Sequence, residues 1–98
     1  MKSRIYKALE EVQEPTLGVD IVNLGLVYEV CIKNEKDIEI VMTTRNGDTM
    51  LSDYIAVSAR ELLEKRVENL GDIDIKMVAS PKWTKERMSR YAKFILDL

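Results

Sequence analysis

The chain has 98 residues, 46% of them hydrophobic and 33% charged, which is enough for one core and too short for two domains. Its net charge of -2, with both signs interspersed, argues against a nucleic-acid partner, because such binding needs clustered positive charge. One cysteine and no histidine exclude an internal disulfide, a cysteine-rich zinc site and a histidine-activated nucleophile. We therefore expect a single domain over residues 1–98, and several classes of enzyme are excluded.

The N-terminal stretch lacks the apolar run of a signal peptide, and no segment approaches the length of a membrane span. A lone cysteine gives no sign of an oxidising compartment. The expected location is the cytoplasm, without a membrane partner.

The first helix is predicted from apolar residues at helical spacing, namely Ile5, Ala8, Leu9 and Val12. It is expected to run from Ser3, as the N-cap, to Val12, and to end because of Pro15. Glu14 then lies at the helix end, where a solvated carboxylate is expected. The residues from Glu14 to Asn23 are predicted to form a connecting segment.

Two strands are predicted next, from Leu24 to Lys33 and from Ile38 to Thr43, joined by the polar turn 34–37. They should pair as an antiparallel hairpin. Cys31 lies in the middle of the first strand, so we expect its thiol to pack as a small apolar group with a raised pKa.

A turn at Asn46-Gly47 leads into the second helix, which Asp48 or Thr49 can cap and which extends to about Val67. Its predicted apolar stripe comprises Leu51, Tyr54, Ile55, Ala59, Leu62 and Leu63. Residues 73–77 alternate as the third strand.

The third strand ends at residues 80–83, and Thr84 is predicted to cap a last helix whose apolar positions are Met88, Tyr91, Ala92 and Ile95. Trp83 is expected to pack on the core. Met42, Met50, Met77 and Met88 are expected to fill gaps in the core, and the basic stretch 82–93 to be a solvated face. The order α-β-β-α-β-α predicts an α+β domain, with helices packed on a three-stranded mixed sheet.

The most suggestive local feature is the loop that leads from the second strand into the second helix. Free N–H groups at a helix N-terminus attract anions, and Thr44, Arg45, Asn46 and Gly47 precede the helix. Thr43 and Thr49 add hydroxyl groups. From spacing alone, an ordinary capped connection is favoured over an anion-binding loop.

Residues 14–28, EPTLGVDIVNLGLVY, resemble the signature DPELGxxIVDLGLVY of the SufT/PaaD-type iron–sulfur assembly family. The family also includes a eukaryotic factor of cytosolic iron–sulfur assembly. The resemblance extends along the chain to its last segment. The further matches are Met42-Thr43, Leu51, Asp53, Trp83-Thr84 and Met88-Ser89.

The resemblance implies the same fold and a role in maturing iron–sulfur proteins. It makes Glu14, Thr43, Thr49 and Trp83 the binding residues by family position. An ungapped alignment puts the family's loop cysteine at Thr49, and a hydroxyl is a poor iron ligand beside a thiolate. We therefore expect no metal site and no cofactor bound by the isolated chain.

The resemblance implies a non-enzymatic accessory protein whose partners are iron–sulfur assembly proteins or client apo-proteins, with a homodimer left open. Two alternatives stay open. One is a diverged paralogue that binds a small anion or metabolite at the N-terminus of the second helix. The other is a non-catalytic subunit of a larger enzyme complex.

Overall fold

A three-stranded sheet with two helices on one face forms the body of the protein in the computed structural model, which describes residues 1–97. The helices and strands follow in the chain order α1 (Lys2–Leu9), β1 (Gln13–Glu14), β2 (Val19–Asp20), β3 (Val27–Lys33), β4 (Asp37–Met42), α2 (Thr49–Arg66), β5 (Ile73–Met77) and α3 (Arg90–Ile95). A single 3₁₀ turn, Lys85–Arg87, precedes α3.

The sheet has the order β3-β4-β5, with β3 antiparallel and β5 parallel to β4. Ile40, at its centre, is fully buried and lies between Val30 and Ile75. The opposite face is charged: the Glu39 carboxylate accepts from Lys33 at 3.3 Å and from Lys76 at 3.2 Å. The predicted hairpin, third strand and mixed sheet of an α+β domain are therefore confirmed.

The two long helices cover the apolar face of the sheet. The α2 helix buries Ile55, Ala59 and Leu63, which recur every four residues on one side. Ile5, Ala8 and Leu9 of α1 join the same core. Tyr54, predicted to belong to the buried stripe, is instead 51% exposed because it lies on the solvent side of α2.

The first helix begins and ends earlier than predicted. Ser3 lies inside it, Met1 is the N-cap, and no side chain caps the first turn. The helix ends at Leu9, well before Pro15, where Glu11 N–H bonds to the Ala8 carbonyl in a tightened last turn. Two glutamates at this end are unfavourable to the helix dipole, which favours the early stop.

The segment predicted as a plain connection contains a short antiparallel hairpin, β1 with β2, in which Glu14 pairs with Val19. Strands of two residues have no periodicity, so the sequence pattern does not predict them. Strand β3 starts at Val27 rather than Leu24, because Gly25 has a φ of +78° and lies in a turn.

The last helix starts later than predicted, and Thr84 does not cap it. Ser89 is the cap: its hydroxyl accepts from Ala92 N–H at 3.1 Å and donates to the Asn23 side-chain oxygen at 2.6 Å. A helix this short buries only Ala92, so Tyr91 and Ile95, predicted as apolar contacts, are exposed.

Of the four methionines expected in the core, Met42 and Met88 are buried and Met77 is partly buried against the core. Met50 is 83% exposed, so it fills no gap. Within residues 1–97, no helix combines the length and apolar character needed to cross a bilayer.

Candidate functional site: the loop after strand β4

The loop between β4 and α2 is held by its own hydrogen bonds. Gly47 N–H donates to the Thr44 hydroxyl at 3.0 Å, and Asp48 N–H donates to the Asn46 side-chain oxygen at 3.2 Å. The Asp48 carboxylate then accepts from the N–H groups of Met50 and Leu51. Asp48 is therefore the cap of α2, and Thr49 is an exposed first residue of the helix.

These bonds bear directly on the predicted anion site. Four N–H groups that the loop and the helix start could offer to an anion, those of Gly47, Asp48, Met50 and Leu51, already donate to side chains of the loop. The Asp48 carboxylate also occupies the favourable position at the positive end of the helix dipole. Two of the free N–H groups in the first turn of α2 are consequently satisfied by Asp48.

Glu14 lies in the core rather than in solvent, contrary to the prediction of a solvated carboxylate. It is 1% exposed and accepts from Arg45 Nε at 2.8 Å and from the N–H groups of Thr16 and Leu17. Burial alone would raise the pKa of Glu14, but these hydrogen bonds and the arginine charge outweigh burial and hold it below its ordinary value. The pair ties the start of the family motif to the loop.

A pocket of about 620 Å³ opens between the loop and the segment after β5. On the loop side it is lined by Thr43, Thr44, Arg45, Asn46 and Gly47, with Ser52 of α2 beyond them. On the other side it is lined by Met77, Val78, Ala79, Lys82 and Trp83. Thr43 joins the two sides, since its hydroxyl donates to the Val78 carbonyl at 2.7 Å.

Trp83 is half-buried against the core, as predicted. Its Nε1–H donates to the Leu24 carbonyl at 2.8 Å, so the indole ring is fixed to the motif segment. A hydrogen-bonded indole that also lines a pocket offers a rigid aromatic wall.

The single cysteine lies outside this site. Cys31 is half-buried on the charged face of the sheet, paired across the strands with Glu39, and not in the apolar core where we expected it to pack. Its thiol donates to the Glu29 carboxylate at 2.9 Å. That bond, more than burial, raises the pKa of Cys31, which confirms the predicted direction.

Six of the predicted site residues line the pocket, namely Thr43, Thr44, Arg45, Asn46, Gly47 and Trp83. Glu14 does not line the pocket but binds Arg45, which does. Thr49 is not among the lining residues. Lys82 and Ser52 also line the pocket but are not among the predicted site residues. The position of Lys82 next to Trp83 is a sequence signal for Lys82, whereas the sequence offers no such signal for Ser52.

Comparison with known proteins shows to which family the chain belongs. The sequence model of a family described as iron–sulfur cluster assembly protein matches residues 2–78. The Fe-S protein maturation auxiliary factor YitW of Bacillus subtilis (strain 168) is 40% identical over 98 residues, which is 100% of this chain and 95% of that protein. SufT of Staphylococcus aureus (strain USA300), with the same description, is 39% identical over 85 residues, or 87% and 96% of the two chains.

The crystal structure of a domain of unknown function from Bacillus anthracis superposes with a TM-score of 0.90 at 40% identity, and covers 98% of this chain and 91% of that one. Family model, full-length relatives and fold thus agree with the resemblance of residues 14–28. This chain belongs to the iron–sulfur cluster assembly protein family.

Proposed function

We propose that this protein is a non-catalytic accessory factor in the maturation of iron–sulfur proteins, and that it contacts assembly proteins or client apo-proteins. The observation that carries the proposal is the family match over residues 2–78. Two relatives that align with most of the chain are named Fe-S protein maturation auxiliary factors, which supports an accessory role rather than a catalytic one.

The proposed contact surface is the loop Thr43–Met50 together with the Trp83 segment. Both are fixed before any partner binds, since the loop is internally hydrogen-bonded and Trp83 donates to Leu24. A surface that is already ordered loses little conformational freedom on binding. Met50, at the end of the loop and 83% exposed, offers an apolar anchor next to it.

We further propose that the isolated chain holds no cluster of its own. Among residues 1–97, no three His, Cys, Asp or Glu side chains converge as a metal site. The loop Thr43–Met50 contains no cysteine, and the one thiol lies on the charged sheet face. In this proposal the cluster is cargo that partner proteins hold. The protein acts in the cytoplasm, and its role does not require two copies to pair.

Affinity capture from the native cell tests the proposal. The wild-type protein should enrich iron–sulfur proteins or assembly factors, and Met50→Ser should lower that enrichment by about tenfold, as loss of an interface anchor does. Phe94→Ser is the matched control, because Phe94 is also 83% exposed but lies on α3. Wild-type capture without any iron–sulfur protein or assembly factor would contradict the proposal.

A further inference from the structure

The pocket beside the loop has the size and the walls of a small-molecule site. Its volume of about 620 Å³ falls within the range of roughly 300 to 1,000 Å³ that holds small ligands. One side is apolar, formed by Met77, Val78 and the ring of Trp83. Because Trp83 is hydrogen-bonded to Leu24, the ring can receive a flat group without first being ordered.

The charge of the lining residues is positive. Arg45 and Lys82 are the two ionised side chains among them, and none of them is acidic. Glu14 balances the charge of Arg45 through Nε. Lys82 forms no ion pair with any residue of the described range 1–97, so it supplies the uncompensated positive charge of the pocket.

Polar groups with spare donors lie next to these cations. Ser52 and Asn46 line the pocket, and within residues 1–97 the Ser52 hydroxyl and the Asn46 side-chain nitrogen donate to no protein group. The N–H groups of Met50 and Leu51 at the start of α2 already donate to the Asp48 carboxylate. A bound anion would therefore meet Lys82 and these side chains, and not the helix N-terminus.

From these contacts we propose that the pocket binds a small organic anion, in which a phosphate or carboxylate is attached to a flat or apolar body. The anion lies at Lys82, with Arg45 in the same lining, and the flat body lies against Trp83. The proposal goes beyond the role in maturation and does not depend on it.

Trp83 is the only tryptophan of the chain, so its fluorescence reports on this pocket alone. Phenyl phosphate and benzoate combine a ring with each kind of anion, benzamide is the uncharged match, and inorganic phosphate is the anion without a ring. We expect phenyl phosphate or benzoate to change the fluorescence saturably, with one molecule bound per chain by calorimetry. Which of the two binds more tightly distinguishes a phosphate from a carboxylate ligand.

The variant Lys82→Gln should weaken this binding by about tenfold, because it removes a charge-assisted hydrogen bond. Lys85→Gln is the control, since Lys85 is also exposed but does not line the pocket. The absence of saturable binding by both ring anions would overturn the proposal. So would equal binding of benzamide, equal binding of inorganic phosphate, or equal losses in the two variants.

Discussion

The substitution Gly25→Ala is expected to destabilise the protein by about 3 kcal/mol, which combines a left-handed backbone with overpacking. Gly25 has a φ of +78°, a conformation that side chains other than glycine adopt at a cost. A Cβ at this position would also lie 2.3 Å from the Arg87 carbonyl oxygen. Backbone cannot move aside as a flexible side chain can, so the last segment of the chain would have to shift off the motif.

Gly18→Ala separates the two contributions. Gly18 has a similar φ of +70°, but a Cβ there meets nothing within 4 Å. Only the backbone cost applies, so we expect a loss of about 1 kcal/mol. Urea unfolding followed by Trp83 fluorescence measures both variants. Equal losses in the two variants would show that the contact between the added Cβ and Arg87 does not add to the cost of Gly25→Ala.

The substitution Arg45→Met is expected to destabilise the protein by about 2 kcal/mol at neutral pH, because it leaves the Glu14 carboxylate buried without its cation. The Glu14 side chain is 2% exposed and that of Arg45 is 25% exposed, so Glu14 cannot regain water as Arg45 can. Adding Glu14→Gln to this variant should therefore restore part of the lost stability, and a double variant no more stable than Arg45→Met alone would contradict the coupling.

The exposed pair between Glu11 and Arg66 is the matched control. Arg66 makes two hydrogen bonds of 2.9 Å to Glu11, yet the side chains are 47% and 43% exposed. Water and salt screen such a pair, so Arg66→Met should cost much less than Arg45→Met. Chemical unfolding at neutral pH measures the two variants side by side.

The pair between Glu14 and Arg45 also makes the stability of the protein depend on pH. The pKa of Glu14 is lower in the folded protein than its ordinary value of 4.5, so the ionised form contributes stability above that value. This contribution is lost as the pH falls below about 4.5 and through the folded pKa. In the Glu14→Gln variant, this part of the acid-induced loss should be absent.

The family motif acts in this structure as a set of attachments. Glu14 holds Arg45 of the loop, and Leu24 accepts from Trp83. Asn23 accepts from Ser89, and its own amide groups donate to Asp20. Residues 14–28 therefore join the loop and the C-terminal segment on either side of the pocket, which gives the motif a structural role.

Sequence patterns predicted the elements that have a clear period, such as the hairpin of β3 and β4 and the helix α2. Sequence patterns did not predict features that depend on a residue distant in the chain. Ser89 caps α3 in part because Asn23 binds it, and Glu14 is buried because Arg45 reaches it from the loop. The sequence predicts the loop as a candidate site, but the approach of Lys82 to it depends on tertiary structure, and the position of Lys82 beside Trp83 is its one local signal.

Cluster occupancy of iron–sulfur proteins in the native cell tests the proposed accessory role most directly. Deleting this protein should lower that occupancy, measured as iron and sulfide per purified client. Wild-type protein should restore it, and Cys31→Ser should restore it equally, because the only thiol lies outside the proposed contact surface. Unchanged occupancy in the deletion would contradict the role in maturation, and failure of Cys31→Ser at normal protein levels would contradict a mechanism without cysteine chemistry.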